Sequence, residues 1–334
     1  MGFLTGEAGQ GSVSRMESPP FDSDSHAASG GEIPGGDGAP AFTLHRRRPS
    51  TVPILVAVPH AGRTYPKPLL ARMRHGGAAN VRLEDRHVDL IAHRVAQETG
   101  ANLLVAHAPR AMIDLNRAPD DVDWEMISMG VGRSAFSPAR ITSQRVRSGL
   151  GLVPRRLAGL GELWRQRLES SELQARIENV HVPYHTALEQ ELEALRARWG
   201  AALLIDLHSM PPLPRKGGRA AAEIVVGDRF GASCAGSLVA ETFAYLGRVG
   251  RLAAHNRPYA GGYVLDRHAS PLTGIHAMQL EIDRTCYLDE ALAEPDEGLE
   301  AMAADIAGLV RLLAVSVSEL GRNRQAGDWP EAAE

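Results

Sequence analysis

Apolar and polar positions change in regular blocks along the chain from residue 53 onward. Short apolar runs bounded by turn residues predict strands at 53–59, 102–107, 111–115, 201–208, 222–227 and 275–282. Segments with one apolar face at helical spacing predict helices near 84–99, 159–180, 183–198, 232–246 and 296–319. This alternation indicates an α/β fold, in which helices cover a sheet.

The two ends of the chain differ from this pattern. Residues 1–48 are rich in Gly, Ser, Pro and Asp, with few large apolar side chains, so we predict a disordered tail there. We expect a single domain over residues 49–322 and a polar C-terminal tail over 323–334. Residues 120–157 carry Arg133, Arg140, Arg145 and Arg147 among Gly and Ser and are expected to form a long functional loop, such as a lid.

Composition narrows the class of protein. With 334 residues and 44% hydrophobic content, the chain can bury a large core. A net charge of −4 gives no reason to expect a nucleic-acid partner, and no continuous apolar run suggests a membrane helix. The two cysteines suit a reducing compartment, and the first residues lack the pattern of a secretory signal. We therefore expect a cytoplasmic enzyme acting on a small molecule, with no membrane partner.

Three strand-like runs carry side chains suited to chemistry. "PILVAVPHAG" ends on His60, "ALLIDLHSMP" carries His208, and "IHAMQLEIDR" carries Glu281. Open α/β sheets place their sites at the carboxyl ends of strands, so these residues predict one metal site at a sheet edge. Either histidine alone could equally be a hydrogen-bonded structural residue. Both together favour metal ligands.

A third ligand is expected from "LEDRHVDLIAHR". Its acids could instead cap a helix, since carboxylates are common in a first turn. We assign Asp85 as the ligand, with Glu84 and Asp89 as alternatives, and Asp89 as an orienting carboxylate. Asp206, two residues before His208 on the same strand face, is a second orienting carboxylate.

Glu281 is flanked by apolar residues, so its carboxylate is expected to be buried. A buried carboxylate is costly unless it is paired or lies beside a metal. We interpret Glu281 as the general base of a hydrolysis, and a structural ion pair with Arg284 is the alternative.

Residues for substrate binding are indicated by arginines near glycines and strand ends. Asn116 and Arg117 follow "AMIDL", and Arg267 stands in "GGYVLDRHASP". The planar guanidinium of arginine matches a carboxylate, so an acidic substrate is expected. His185 in "VPYHTAL" is either an orienting residue of the site or an ordinary capping residue. No nucleophile elbow or phosphate-binding loop occurs in the sequence.

Together these motifs resemble the N-formylglutamate amidohydrolase family. The resemblance covers about residues 52–320 and rests on "VPHAGRTYP", "EDRHVDL", "RAMIDLNRAP", "VPYHTAL", "IDLHSMP", "GGYVLDRHASP" and "GIHAMQLEIDRTCYLDE". It implies a three-layer α/β/α fold with a central mixed sheet, similar to zinc-dependent exopeptidases. It also implies hydrolysis of N-formyl-L-glutamate to formate and L-glutamate, as in one route of histidine degradation, with a divalent metal ion, zinc being expected.

The resemblance also implies roles for individual residues. By analogy with zinc carboxypeptidases, His60 and His208 match the metal histidines, Asn116 and Arg117 the carboxylate-binding pair, and Glu281 the general base. Those enzymes take their acidic ligand three residues after the first histidine, where this chain has an arginine. The acidic ligand must therefore come from elsewhere. Two alternatives are a metallohydrolase of another N-acyl amino acid or short peptide, and a non-catalytic metal-binding or ligand-binding relative.

Overall fold

Eight strands form one mixed sheet through the centre of the protein in the computed structural model, which describes residues 25–128, 143–215 and 220–327. The strands of this sheet are β1 (Ser25–Gly30), β2 (Phe42–Arg47), β3 (Ile54–Val58), β4 (Asn102–Ala106), β9 (Ala202–Met210), β10 (Ile224–Gly227), β11 (Ala253–His255) and β12 (Ile275–Asp283). Four two-residue strands form two small ribbons, namely β5 (Ile127–Ser128), β6 (Arg156–Leu157), β7 (Gly161–Glu162) and β8 (Leu168–Glu169).

Nine α-helices surround the sheet within the described residues. They are α1 (Lys67–Arg72), α2 (Gly76–Leu83), α3 (Val88–Thr99), α4 (Gln144–Arg147), α5 (Ser170–Arg176), α6 (Val182–Trp199), α7 (Gly236–Arg248), α8 (Tyr263–His268) and α9 (Gly298–Gly327). A π-helical turn, Ile177–His181, joins α5 to α6 without a break.

The order of strands is β1-β2-β4-β3-β9-β12-β10-β11. The four central strands β4, β3, β9 and β12 run parallel to one another. On the two sides of this group, β2 pairs antiparallel with β4 and β10 pairs antiparallel with β12. Because the central strands share one direction, their carboxyl ends meet at one edge of the sheet. This edge is where an open α/β sheet places its ligands.

Alternate side chains of the central strands pack on opposite faces of the sheet. Leu203, Ile205 and Leu207 of β9 lie in the core formed with α3, α7 and α9. Leu204 of the same strand lies in the other core, beside Leu188 of α6. The period of two along a strand therefore divides the residues of β9 between two apolar layers. The predicted three-layer α/β/α arrangement with a mixed sheet is confirmed.

The predicted disordered tail over residues 1–48 is wrong for its second half. β1 and β2 lie within it, β2 pairs with β4, and Phe42 and Leu44 are buried. These edge strands bury few apolar residues of their own and depend on the sheet beside them, which local composition does not reveal. Residues 1–24 lie outside the described residues.

Other predicted boundaries also shift. Residues 111–115 form turns rather than a strand. The helix predicted from residue 84 begins at Val88, because His87 adopts a left-handed conformation with φ 58°. The helix predicted from residue 159 begins at Ser170, after β7 and β8. At the C-terminus, α9 continues to Gly327 and so includes the first five residues of the predicted polar tail, while residues 328–334 lie outside the described part.

Helix α9 is long and apolar enough, by length and composition alone, to cross a membrane. One such helix is weak support for a membrane span, since long core helices pass the same test. Met302, Ile306, Val310 and Leu313 of α9 are fully buried in the core shared with α3 and α7. We interpret α9 as a core helix.

Candidate active site

Three adjacent strands bring the two histidines and Glu281 together at one edge of the sheet. His60 follows β3 by two residues, and His208 lies near the end of the neighbouring strand β9. Glu281 of β12 is the register partner of His208. The three residues that stand near strand ends in the sequence therefore lie together at one edge of the sheet.

Asp85 reaches this edge from the turn between α2 and α3. Its backbone N–H lies 2.9 Å from the carbonyl oxygen of His60 and donates to it. Its Oδ2 lies 2.8 Å from His208 Nδ1 and 3.6 Å from His60 Nδ1. All three side chains are buried, and their nearest ligand atoms lie within 4.8 Å of one another.

The second nitrogen of each imidazole faces another carboxylate. His60 Nε2 lies 2.7 Å from Asp114 Oδ1, and His208 Nε2 lies 3.0 Å from Asp206 Oδ2. A carboxylate behind each ring fixes its orientation and its tautomer, so that the opposite nitrogen faces the site. The structure thus places Asp206 within hydrogen-bond distance of His208, and its orienting role stays a prediction.

The three residues fit a divalent metal ion. Two imidazole nitrogens and one carboxylate oxygen form a donor set of the kind that catalytic zinc takes, leaving further positions open. Both histidines present Nδ1 to the same carboxylate oxygen, while Nε2 is held from behind. In the described part of the chain, this group of two histidines and one aspartate has the spacing that an ion requires.

The charges around Asp85 favour its ionised form. Burial by itself raises the pKa of Asp85, but hydrogen bonds from His208 and His60 outweigh it and hold the pKa well below its usual value. Arg284 Nη2 lies 3.3 Å from the other carboxylate oxygen of Asp85. Asp85 is therefore available as an anionic ligand atom facing both histidines.

Glu281 lies beside this group without an ion-pair partner among the described residues. Its Oε1 accepts a hydrogen bond of 2.8 Å from Gln279 Nε2. Arg284, the predicted alternative partner, contacts Asp85 and Ser209 instead. Burial raises the pKa of Glu281 to about 7. A carboxylate with such a pKa can both accept and return a proton near neutral pH.

A cleft of about 600 Å³ opens above these residues. Its wall contains the predicted pair Asn116 and Arg117, and Asn116 Nδ2 lies 3.3 Å from His208 Nε2. Six arginines line the cleft, namely Arg82, Arg110, Arg117, Arg145, Arg229 and Arg284. Several of them pair with carboxylates of the protein, as Arg110 does with Asp114. The cleft is thus strongly cationic around a buried anionic group, which suits an anionic ligand.

Two predicted residues lie away from the site. Both carboxylate oxygens of Asp89 bind the guanidinium of Arg63, at 3.0 and 2.7 Å, so Asp89 orients neither histidine. The turn at His87 separates it from Asp85, whereas a continuous helix would have placed both on one face. Arg267 donates to the Tyr263 hydroxyl at 2.9 Å and does not line the cleft. His185 lies behind Asn116, where its Nε2 contacts the carbonyl oxygen of Leu115.

The sequence interpretation missed several residues of the site. Asp114 holds His60, Arg110 and the backbone N–H of Asn116, the last at 2.8 Å. The signal in the sequence is the acid two residues before the Asn-Arg pair, but the apolar pattern there predicts a strand and gives Asp114 no partner. Gln279, which alternates with Glu281 on β12, and Tyr259 also line the cleft. The Arg145 part of the predicted loop reaches the cleft, while residues 129–142 lie outside the described residues.

A buried His–Asp–His group with an adjacent carboxylate, on a mixed α/β sheet, is the side-chain arrangement of a hydrolase that activates water. A family model described as N-formylglutamate amidohydrolase matches residues 52–288, and the chain belongs to this family. The protein is accordingly an amide hydrolase, and the family resemblance stated from sequence motifs is confirmed.

Named relatives agree with this assignment. The chain is 29% identical over 283 residues to an N-formylglutamate deformylase of Pseudomonas aeruginosa, covering 82% of this chain and 96% of the relative. A Pseudomonas putida protein of the same name is 28% identical over 257 residues, which cover 75% of this chain and 85% of the relative. The crystal structure of an N-formylglutamate amidohydrolase from Ralstonia eutropha JMP134 superposes with a TM-score of 0.74 at 30% identity, covering 84% of this chain and 99% of that one.

Proposed function

We propose that this protein hydrolyses N-formyl-L-glutamate to formate and L-glutamate, using a divalent metal ion, with zinc as the expected ion. The observation that carries the proposal is Glu281, which lies beside His208 at the base of a cleft lined by arginines and forms no ion pair with any described residue. The names of the two Pseudomonas relatives support the choice of substrate.

His60, Asp85 and His208 would hold the ion. When bound, such an ion supplies Lewis acidity, which polarises a carbonyl group and makes a nearby water molecule a stronger acid. Asp114 and Asp206 would orient the two imidazoles and fix their tautomers, because each accepts from Nε2. Arg284 offsets the negative charge of Asp85.

Glu281 is proposed to move the proton during hydrolysis. Its carboxylate accepts a proton from the attacking water as the new C–O bond forms at the formyl carbon. It then delivers this proton to the departing nitrogen as the C–N bond breaks, which releases formate and the amine of glutamate. The hydrogen bond from Gln279 holds Oε1, so the carboxylate is kept in one orientation for both transfers.

The cationic wall of the cleft is proposed to bind the substrate carboxylates. Arg117 donates Nε to the carbonyl oxygen of Leu150 and Nη1 to that of Asn116, at 3.0 and 2.8 Å. These bonds fix the guanidinium plane without neutralising it. A substrate with two carboxylates gains from several such cations, so an N-acyl dicarboxylic amino acid fits better than an N-acyl apolar one.

The proposed location is the cytoplasm. In the structure Cys234 and Cys286 are free, which agrees with a reducing compartment.

A substrate panel tests the proposed function. Purified protein loaded with zinc is incubated with N-formyl-L-glutamate, N-acetyl-L-glutamate, N-formyl-L-leucine and a γ-glutamyl dipeptide, while formate, acetate and free amine are measured. The proposal expects equimolar formate and glutamate from the first compound and a kcat/KM at least about tenfold higher than for the others. For N-formyl-L-leucine the reason is the lost side-chain carboxylate, since a lost charged contact costs about 1.5 to 3 kcal/mol. N-acetyl-L-glutamate keeps both carboxylates and therefore tests the choice of acyl group. Preferred cleavage of another compound, or no cleavage of N-formyl-L-glutamate, would overturn it.

A further inference from the structure

Two histidines hold the backbone on both sides of Asn116. His181 Nε2 lies 2.8 Å from the carbonyl oxygen of Arg117, and His185 Nε2 lies 3.0 Å from that of Leu115. A carbonyl oxygen can only accept a hydrogen bond. Both Nε2 atoms therefore carry a proton and donate it to the segment that contains the carboxylate-binding pair.

A third histidine completes this arrangement. His185 Nδ1 lies 2.8 Å from His268 Nε2. Burial lowers the pKa of His185 well below its usual value and lowers that of His268 to about 3, so both rings are neutral. Since His185 already donates through Nε2, its Nδ1 must accept, and His268 Nε2 is the donor. The hydrogen bonds from His268 to His185 and from His185 to the Leu115 carbonyl oxygen therefore each have a fixed donor and acceptor. Rotating the His185 ring would break both.

The helical segment that carries His181 and His185 is irregular where it contacts the Asn116 segment. His181 is the last residue of the π-helical turn Ile177–His181, and α6 continues directly from it. A π turn inserts one extra residue into a helix, and such turns are frequent at functional sites. Leu188 and Leu192 of α6 still pack in the apolar core, while His181 and His185 face the polar segment behind the cleft.

The opposite side of Asn116 is held as well. Its Oδ1 accepts a hydrogen bond of 2.9 Å from the backbone N–H of Val264. Gly262 lies against its side chain so closely that a Cβ there would be 2.4 Å from Oδ1. Neither His181 nor His185 lines the cleft. They contact the site through the carbonyl oxygens of Leu115 and Arg117, and their rings also pack against Tyr263, which lines the cleft.

We propose that His181 and His185, supported by His268, are positioning residues that hold Asn116 and Arg117 in the geometry that binds a substrate carboxylate. This inference rests on the proposed function in that it takes Asn116 and Arg117 as the carboxylate-binding pair. The sequence leaves His185 as either an orienting residue, with no named target, or an ordinary capping residue. The hydrogen bonds supply the target and add His181 and His268.

The first test replaces His181 in two ways. Leucine keeps the bulk of the ring but leaves the Arg117 carbonyl without its donor, whereas glutamine can still donate through its amide. The His181→Leu variant should raise KM for N-formyl-L-glutamate about fivefold with kcat changed less than twofold, because one neutral hydrogen bond is lost from ground and transition states alike. His181→Gln should restore most of the affinity. His276→Leu, a buried histidine on β12 away from the cleft, is the matched control and should leave KM unchanged.

The second test asks whether His181 acts through Arg117. Arg117→Lys and His181→Leu are combined, and binding of L-glutamate to the zinc-loaded protein is measured by calorimetry. If the histidine only positions Arg117, the double variant should bind about as weakly as Arg117→Lys alone. If the two substitutions reduce the affinity for glutamate independently, so that their fold-losses multiply in the double variant, the inference is overturned. Unchanged KM and affinity in His181→Leu would also overturn it.

Calorimetry also separates this inference from the proposed function. A wild-type protein that binds glutamate but releases no formate would refute the proposed reaction, and the cycle of variants would still judge the positioning role. A wild-type protein that does not bind glutamate would overturn the positioning role itself, since no carboxylate site would then exist for His181 to organise. A lower melting temperature of His181→Leu with normal affinity would show a purely structural histidine.

Discussion

Glu281 and His208 are direct register partners on the parallel strands β12 and β9, so a candidate general base and a candidate metal ligand share one rung of the sheet. Side chains at paired positions of adjacent strands point to the same face. The backbone of two fully buried strands therefore determines their separation, and neither depends on a loop for its position. Sites built on strands are held more precisely than sites built on loops.

Replacing Glu281 with glutamine should abolish most turnover without unfolding the protein. The amide keeps the size of the side chain but cannot accept a proton, so kcat should fall by about 100-fold or more. Arg284 contacts Asp85 rather than Glu281, so no buried ion pair is broken and the melting temperature should stay close to that of the wild type. Turnover, bound metal and melting temperature are measured on one preparation. Near-normal turnover in a stable, metal-loaded variant would rule out the general-base role.

Removing any of the three proposed ligands should release the metal. His60→Ala, Asp85→Ala and His208→Ala should each lose bound zinc and activity, since two remaining donors do not complete a site. Asp89→Ala is the matched control, because Asp89 pairs with Arg63 and lies outside the group. Metal content is measured by elemental analysis. A ligand variant that retains a full equivalent of zinc removes that residue from the site, and loss of zinc in Asp89→Ala alone would favour Asp89, an alternative ligand from the sequence, over Asp85.

Much of the central site could be predicted from sequence because strand ends are local signals. His60, His208 and Glu281 each stand in an apolar run with a turn after it, and parallel strands collect such ends at one edge. Asp114 was not predicted, because its partner His60 lies 54 positions away and only the tertiary fold joins them. Asp89 was given an orienting role on the expectation of a helix from residue 84, which the left-handed turn at His87 prevents.

The edge of the sheet was less predictable than its centre. Central strands such as β9 are buried at every position and are therefore recognisable as continuous apolar runs. In β2, by contrast, only Phe42 and Leu44 are buried, so its amino-acid composition resembles that of a disordered segment. Pairing with β4 supplies what the local sequence lacks.

Arg117→Lys should weaken substrate binding while Arg267→Lys should not. Lysine keeps the positive charge but lacks the planar fork and the Nε donor that holds Arg117 to Leu150, so KM should rise about tenfold or more. Arg267 lies outside the cleft, against Tyr263, and provides the matched control. Steady-state kinetics with N-formyl-L-glutamate measure both. Equal effects of the two variants would move the carboxylate site away from Arg117.

Gly262→Ala should displace Asn116. An added Cβ would lie 2.4 Å from Asn116 Oδ1 and 2.7 Å from its Cγ, distances that force the amide to move and weaken the hydrogen bond from Val264. We expect kcat/KM to fall by about tenfold, the scale of a strain near 1 to 2 kcal/mol. Gly247→Ala on α7, where nothing lies within 4 Å of the added methyl, should leave the kinetics unchanged. Normal kinetics in Gly262→Ala would show that the position of Asn116 is not critical.

Acid should destabilise the fold through buried neutral histidines, and His276 is the clearest case. Burial on β12, reinforced by Arg324, lowers the pKa of His276 from 6.5 to about 4. In the unfolded chain His276 is protonated below about pH 6.5, whereas in the folded protein it stays neutral down to about pH 4. Its contribution to the free energy of unfolding is therefore fully present above pH 6.5 and is lost as the pH falls from 6.5 to 4. One pKa unit is worth about 1.4 kcal/mol, so this residue accounts for up to about 3 kcal/mol of that loss. Urea unfolding of metal-free protein at pH 7 and pH 4.5 should show a smaller loss for His276→Leu than for the wild type. His75→Leu, at an exposed position, is the control, and an equal loss in all three proteins would place the acid sensitivity elsewhere.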